Sequence, residues 1–222
     1  MEYMQTAMID MGMYHVHMDM QLFAVTKQVS WHHLERFKNV VVHPGGMHII
    51  QLFLSCIGKL MKGSALECYV DAEYGGLTGI CNGKAWVKAM RAYRGVAVAL
   101  LKNFMATGPK SFEQIEEYLE TARSHPTGRH RVDNFLMPTL LVHQFESAER
   151  EGYIDLKLVV LKRLMNFFFL AGHAQYSRYL SQYLLDVRTE PAAHKVDLVC
   201  RHRMGSGIQS QLISLGNKLP YE

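Results

Sequence analysis

The sequence predicts an α/β protein that is predominantly helical: a short strand–helix–strand unit followed by a large helical bundle. Three observations carry that reading. The stretch "YHVHM" alternates, with Tyr14, Val16 and Met18 on one side and His15 and His17 on the other, which is the period of a strand. A second β-branched run, "FKNVVVH", stops at Pro44, which has no N–H to give to a ladder. From His48 to Val187 apolar residues recur at helical intervals, the mark of helices that each bury a stripe.

Taken in order, Asp19 ends the first strand, and Leu22, Val25 and Val29, with Phe23, predict a helix to about Trp31. Two strands joined by a helix imply a crossover unit with parallel strands. Gly45 and Gly46 permit backbone angles closed to other residues and predict a sharp turn after the second strand. "HIIQLFLSCIGKLMKG" is apolar almost all round, which predicts a buried helix capped by Gly63. "YGGLTGICNG" is a glycine-rich connector, and residues 84–106 form the next long helix with Gly95 as a tolerated weak point.

Ser111 and Gln114 have the spacing of a cap, ahead of a helix whose buried stripe is Phe112, Ile115, Leu119 and Ala122. Glu113, Glu116, Glu117 and Glu120 crowd its other side. "SHPTGRH" reads as a turn, and "VDNFLMPTLLVHQFESAERE" as a helix with a kink at Pro138. Two more helices follow, the second with Tyr176, Leu180, Tyr183, Leu184 and Val187 on one face. No repeat or linker divides the chain, so a single domain is expected over residues 1–222. Residues 1–47 form the strand–helix–strand part, 48–187 the bundle, and 188–222 an irregular tail with "VDLVC" as one short strand.

Apolar residues make up 49% and charged residues 20% of the chain, as in an ordinary globular protein rather than a disordered one. The net charge of +4 permits an anionic partner without demanding one. Cys56, Cys68, Cys81 and Cys200 contain no CxxC pair, so reduced thiols in a reducing compartment are expected. No cationic start followed by an apolar core marks a signal peptide, and the longest apolar run, "MNFFFLAG", is too short to span a bilayer. These features predict a soluble intracellular protein with no membrane partner, its compartments including the nucleus.

Four groups of residues are candidates for chemistry. Asp19 stands at the carboxyl end of a parallel strand, where open α/β sheets bind ligands. The stronger reading is that it caps the helix it precedes. His43 and His48 flank the Gly45–Gly46 turn and are expected to tie it down through ring nitrogens rather than share a zinc ion. His194, Cys200 and His202 have zinc-ligand chemistry but loose spacing and no fourth ligand.

The fourth is a basic stripe. Lys84, Lys88, Arg91 and Lys102 share one side of a helix, Arg94 lies at its margin, and no acid occurs between residues 82 and 106. One-signed charge of this kind suits a row of phosphates, with Trp86 or Tyr93 placed to stack on bases. The competing reading pairs the stripe with the glutamates of the next helix, or leaves it solvated.

Three stretches together, "MDMQLFAVTKQVSWHHLERFKNVVVHPGGMH", "NGKAWVKAMRAYRGVAVALLKNFM" and "AEREGYIDLKLVVLKRLMNFFFLAGHAQYSRYLSQYLLDV", resemble an uncharacterised, multicopy, transposon-borne protein family of invertebrate and fish genomes. The resemblance runs to about His202, with Met47 where the family pattern has an aromatic residue. By its order of elements that family is similar to the ribonuclease-H-like core of DDE transposases, in which a helical insertion splits the sheet. The resemblance implies that Asp19 matches the middle carboxylate of the metal-binding triad and His48 the histidine of the turn after the next strand.

The chain begins a few residues before the Asp19 strand, so the first acid of such a triad is expected to be missing. After "VCRH" it departs from the family's acidic segment and has no acid until Glu222. The expectation is therefore a remnant of a ribonuclease-H-like sheet, a transposon-derived fragment without phosphoryl-transfer activity that binds DNA or a protein and needs no cofactor. The alternative is an active metal-dependent DDE-type nuclease in which Asp19 holds Mg or Mn with acids such as Asp71, Glu73 or Asp197.

Overall fold

A computed structural model describes residues 14–75, 79–80, 82, 85–106, 108 and 111–189. Strand β1 (Tyr14–Met18) is followed by helix α1 (Met20–His32), a single helical turn α2 (Leu34–Phe37) and strand β2 (Val40–Pro44). Helices α3 (Gly46–Met61), α4 (Ala65–Tyr74), α5 (Trp86–Met105), α6 (Phe112–Arg123) and α7 (Pro126–Arg131) come next. A π-helical turn (Val132–Leu136) leads into α8 (Met137–Glu151), then α9 (Ile154–Leu170) and α10 (Ala174–Thr189). The protein is predominantly helical, as expected.

β1 and β2 pair in parallel, with Tyr14 opposite Val40 and Met18 opposite Pro44. The valines of β2 explain its position, because Val41, Val42 and His43 are all buried. Phe37, expected in this strand, instead ends the short turn α2.

Helix α3 is the axis of the bundle. Its apolar circumference buries Ile49, Phe53, Leu54, Ile57 and Met61 against α4, α5, α8, α9 and the π turn. Phe53 meets Phe167 and Phe168 of α9 edge-on, with ring centres 5.6 and 5.5 Å away. Gly63 follows this helix with φ +77°, where a side chain would be strained.

Several expectations are corrected. Helix α1 buries Met20 and Phe23, while Leu22 and Val25 are exposed. The cause is a partly polar inner face: Lys27 pairs with Asp186 at 2.6 Å and Gln28 donates to the Tyr179 hydroxyl at 3.0 Å, both on α10. Helix α4, absent from the expectation, is short and uses Leu66, Val70 and Tyr74 at four-residue spacing. "SHPTGRH" contains helix α7 rather than a turn alone, because Pro126 presets the first helical position. Phe112 is exposed, and the rest of the expected stripe on α6 is only half-buried.

The kink expected at Pro138 takes the form of the π turn just ahead of it. Met137 N–H reaches Val132 O, one residue further back than in an α-helix. Pro138 has no N–H, and its ring would crowd the carbonyl four residues back in a regular helix, so the widened turn relieves both problems.

Candidate functional site

The carboxyl edge of the sheet gathers Asp19, the Gly45–Gly46 turn and the starts of α1 and α3. Asp19 is the N-cap of α1: its Oδ1 accepts from Gln21 N at 2.8 Å and Leu22 N at 2.9 Å. Gly45 N donates to Met18 O at 2.7 Å, which draws the two strand ends together.

The glycines are there for closeness, not for unusual angles. Gly45 has φ −68°, and among the described residues Gly46 is not one of the glycines with positive φ. A β-carbon on Gly45 would lie 3.1 Å from Met18 O. On Gly46 it would lie 2.6 Å from the carboxyl carbon of Glu149, which reaches over from α8. Glu149 also pairs with Lys157 of α9 at 2.5 Å, and Lys157 is 1% exposed. Glu149 thus puts a negative charge at the start of α3, where the helix macrodipole favours it.

His43 is fully buried, with Nδ1 3.0 Å from the Tyr183 hydroxyl, and its ring stacks on His17 with centres 4.8 Å apart. It is a structural histidine. His48 is exposed in the first turn of α3, its ring edge 3.6 Å from the β-carbon position of Gly45. The Tyr176 hydroxyl is pushed above its ordinary range by burial, and further by the negative charge of Asp19.

The ribonuclease-H resemblance calls for carboxylates that converge on a pair of metal ions ~3.5–4 Å apart. The described residues do not assemble such a group. Asp19 commits Oδ1 to two backbone amides, and among the described residues no three His, Cys, Asp or Glu side chains gather where they could hold a metal ion. Asp71 and Glu73 lie on the exposed surface of α4. Asp197, His194, Cys200 and His202 lie outside the described residues, as does the strand expected at "VDLVC".

Helix α5 carries the basic stripe, with its inner face packed through Ala89, Tyr93, Val96 and Phe104. Lys88, Arg91 and Lys102 are exposed, and among the described residues no carboxylate pairs with any of them. Lys84 lies outside the described residues. Arg94, though exposed, leans across to α8, where its terminal nitrogen is 3.2 Å from Glu146 and 3.2 Å from His143. Arg150 shares the same carboxylate at 2.5 Å. The α6 glutamates do not reach the stripe; Glu120 pairs with Arg123 instead, and Arg123 also bonds Asp133 at 2.8 Å.

Stacking on Tyr93 is ruled out by position: the ring is fully buried, edge-on to Phe135 with centres 5.8 Å apart. Trp86 is half-buried against the core. A cavity of about 390 Å³ beside the π turn is lined by Ser124, Pro126, Arg129, His130, Asp133 and Asn134. Asp133 and Arg129 are tied to Arg123 beside it and Asn134 bonds His130 Nδ1, while among the described residues His130 Nε2 is buried with no hydrogen-bond partner.

Glu146, Glu149 and Lys157 are the residues that sequence reasoning missed. Their surroundings come from α8 and α9 folding back onto α3 and α5, and no local spacing announces that.

No curated protein and no solved structure matches the chain. A family described as a domain of unknown function (DUF8702) matches residues 1–117, from before β1 into α6. That match covers more than half of the 222 residues, so the chain belongs to this family.

Proposed function

We propose that the chain is a transposon-derived protein with a ribonuclease-H-like remnant at its sheet, which binds nucleic acid along α5 and does not carry out phosphoryl transfer. The observation that carries the binding reading is the α5 surface: Lys88, Arg91 and Lys102 are exposed on one side with no carboxylate to neutralise them among the described residues. A rigid row of cations of this kind releases counterions when it meets a phosphate backbone. The absence of cutting chemistry is supported by Asp19, whose carboxylate serves the helix it caps.

Affinity for a short DNA duplex, measured against salt, should fall with a slope of about 0.9 per phosphate contacted. Neutralising Lys88, Arg91 and Lys102 together should flatten that slope. No binding at low salt sinks the reading. Nicking stimulated by magnesium or manganese, and lost in Asp19→Ala, would refute the non-catalytic part.

A further inference from the structure

Helix α6 has an unusual balance for a surface helix. It is strongly amphipathic in sequence, yet none of its residues is fully buried, and Phe112 at its start is 74% exposed. Glu116 and Glu117 are exposed with no cationic partner among the described residues, and beside them the Glu113 carboxyl is held below its usual range by the Ser111 hydroxyl.

The outer face of α5 has the opposite character. Val87, Val98 and Met105 are exposed along one line of that helix, spaced at near-whole turns, with Arg91 and Lys102 beside them. Helix α6 therefore presents the exposed Phe112 ring beside acids and α5 an exposed apolar line beside cations, so the two charges are complementary. Helices choose partners by this combination of apolar seam and flanking charge.

Within one chain the two faces do not meet. Helix α6 touches α5 through Tyr118 on Phe104, with ring centres 4.1 Å apart, and Phe104 is buried about 200° around the helix from Lys102. The Phe104 contact holds the acidic helix at the inner side of α5, away from the cations.

We infer that two copies of this chain pair reciprocally, the acidic helix α6 of each lying on the cationic outer face of α5 of the other. One chain offers both halves of the contact, so the same contact formed twice closes a two-fold dimer. The inference rests on the cationic face and not on its holding nucleic acid; a second copy and a duplex would take that face by turns.

Sedimentation of the full chain, without nucleic acid, should show a dimer at low salt that dissociates as salt is raised. A charge-reversed acidic face (Glu113→Lys, Glu116→Lys, Glu117→Lys) should leave the chain monomeric, and so should a charge-reversed cationic face (Lys88→Glu, Arg91→Glu, Lys102→Glu). An equimolar mixture of the two variants should recover the dimer, because both contacts are then attractive again. A natural chain that stays monomeric overturns the inference, and so does a natural dimer whose two variants fail to pair when mixed.

Discussion

The Glu149 carboxylate fills the space that a β-carbon on Gly46 would need, and from there it pairs with the buried ammonium of Lys157. Residue 46 is small so that an acid from α8 can stand at the head of α3. Gly46→Ala should push the flexible end of Glu149 aside and weaken the pair, costing well under the ~3–5 kcal/mol of breaking a buried pair outright. Glu149→Gln should cost more than Gly46→Ala, because it removes the charge from the pair altogether. Urea unfolding of both variants checks the order, and a Gly46→Ala chain as stable as the natural one contradicts this account of the turn.

Arg94 is the one cation near the stripe that Glu146 holds back. Glu146→Gln should remove the carboxylate that neutralises it and add one phosphate contact, which steepens the salt dependence of DNA affinity by about 0.9. The measurement is a fluorescence titration at several salt concentrations. An unchanged slope means that Arg94 stays anchored by His143.

Cys56 sits inside α3, and burial pushes its thiol up to about 12 even with Lys59 nearby pulling the other way. Cys68 is exposed on α4. Alkylation of the folded protein in mildly alkaline buffer should label Cys68 and spare Cys56, as mapped by peptide mass. Labelling of Cys56 before global unfolding shows that α3 opens locally.

His143 and His173 are both held below their ordinary value of 6.5 by burial, aided by Arg94 and Lys59 respectively. At His143 the neighbouring Glu146 opposes the effect. At His173 the Lys59 ammonium donates to Nε2 at 3.0 Å, which requires a neutral ring. Each histidine takes up its proton more readily unfolded than folded, so stability should be complete above the unfolded value and be lost as pH falls below it. Melting temperature should therefore drop between about pH 7 and pH 5, and less steeply when both are replaced by asparagine. Ring-proton NMR titrations with midpoints at or above 6.5 contradict the assignment.

Local signals in the sequence carried most of the fold. The alternation of "YHVHM", the valines before Pro44, the cap at Asp19 and the apolar circumference of α3 each depend on neighbours in sequence, and each was legible. Where a helix turned polar groups inward, as α1 does with Lys27 and Gln28, apolar spacing pointed to the wrong face. Candidate-site residues were legible singly but not as a group. Asp19 and the glycine turn were found, whereas the acid that meets the turn comes from Glu149, over a hundred positions away, through the packing of α8 on α3.

Gly95 lies beneath the Tyr74 hydroxyl, the closest neighbour that a β-carbon there would meet, while the ring carbon bearing that hydroxyl is 3.5 Å from the same point. Removing one oxygen atom turns a collision into an ordinary contact. Alanine at 95 should thus be harmful beside tyrosine and beneficial beside phenylalanine, where it recovers roughly 1 kcal/mol of helix propensity. The two positions form a reversible pair in which the merit of one residue changes sign with the identity of the other. A route through Tyr74→Phe first meets no collision, whereas the reverse order passes through one.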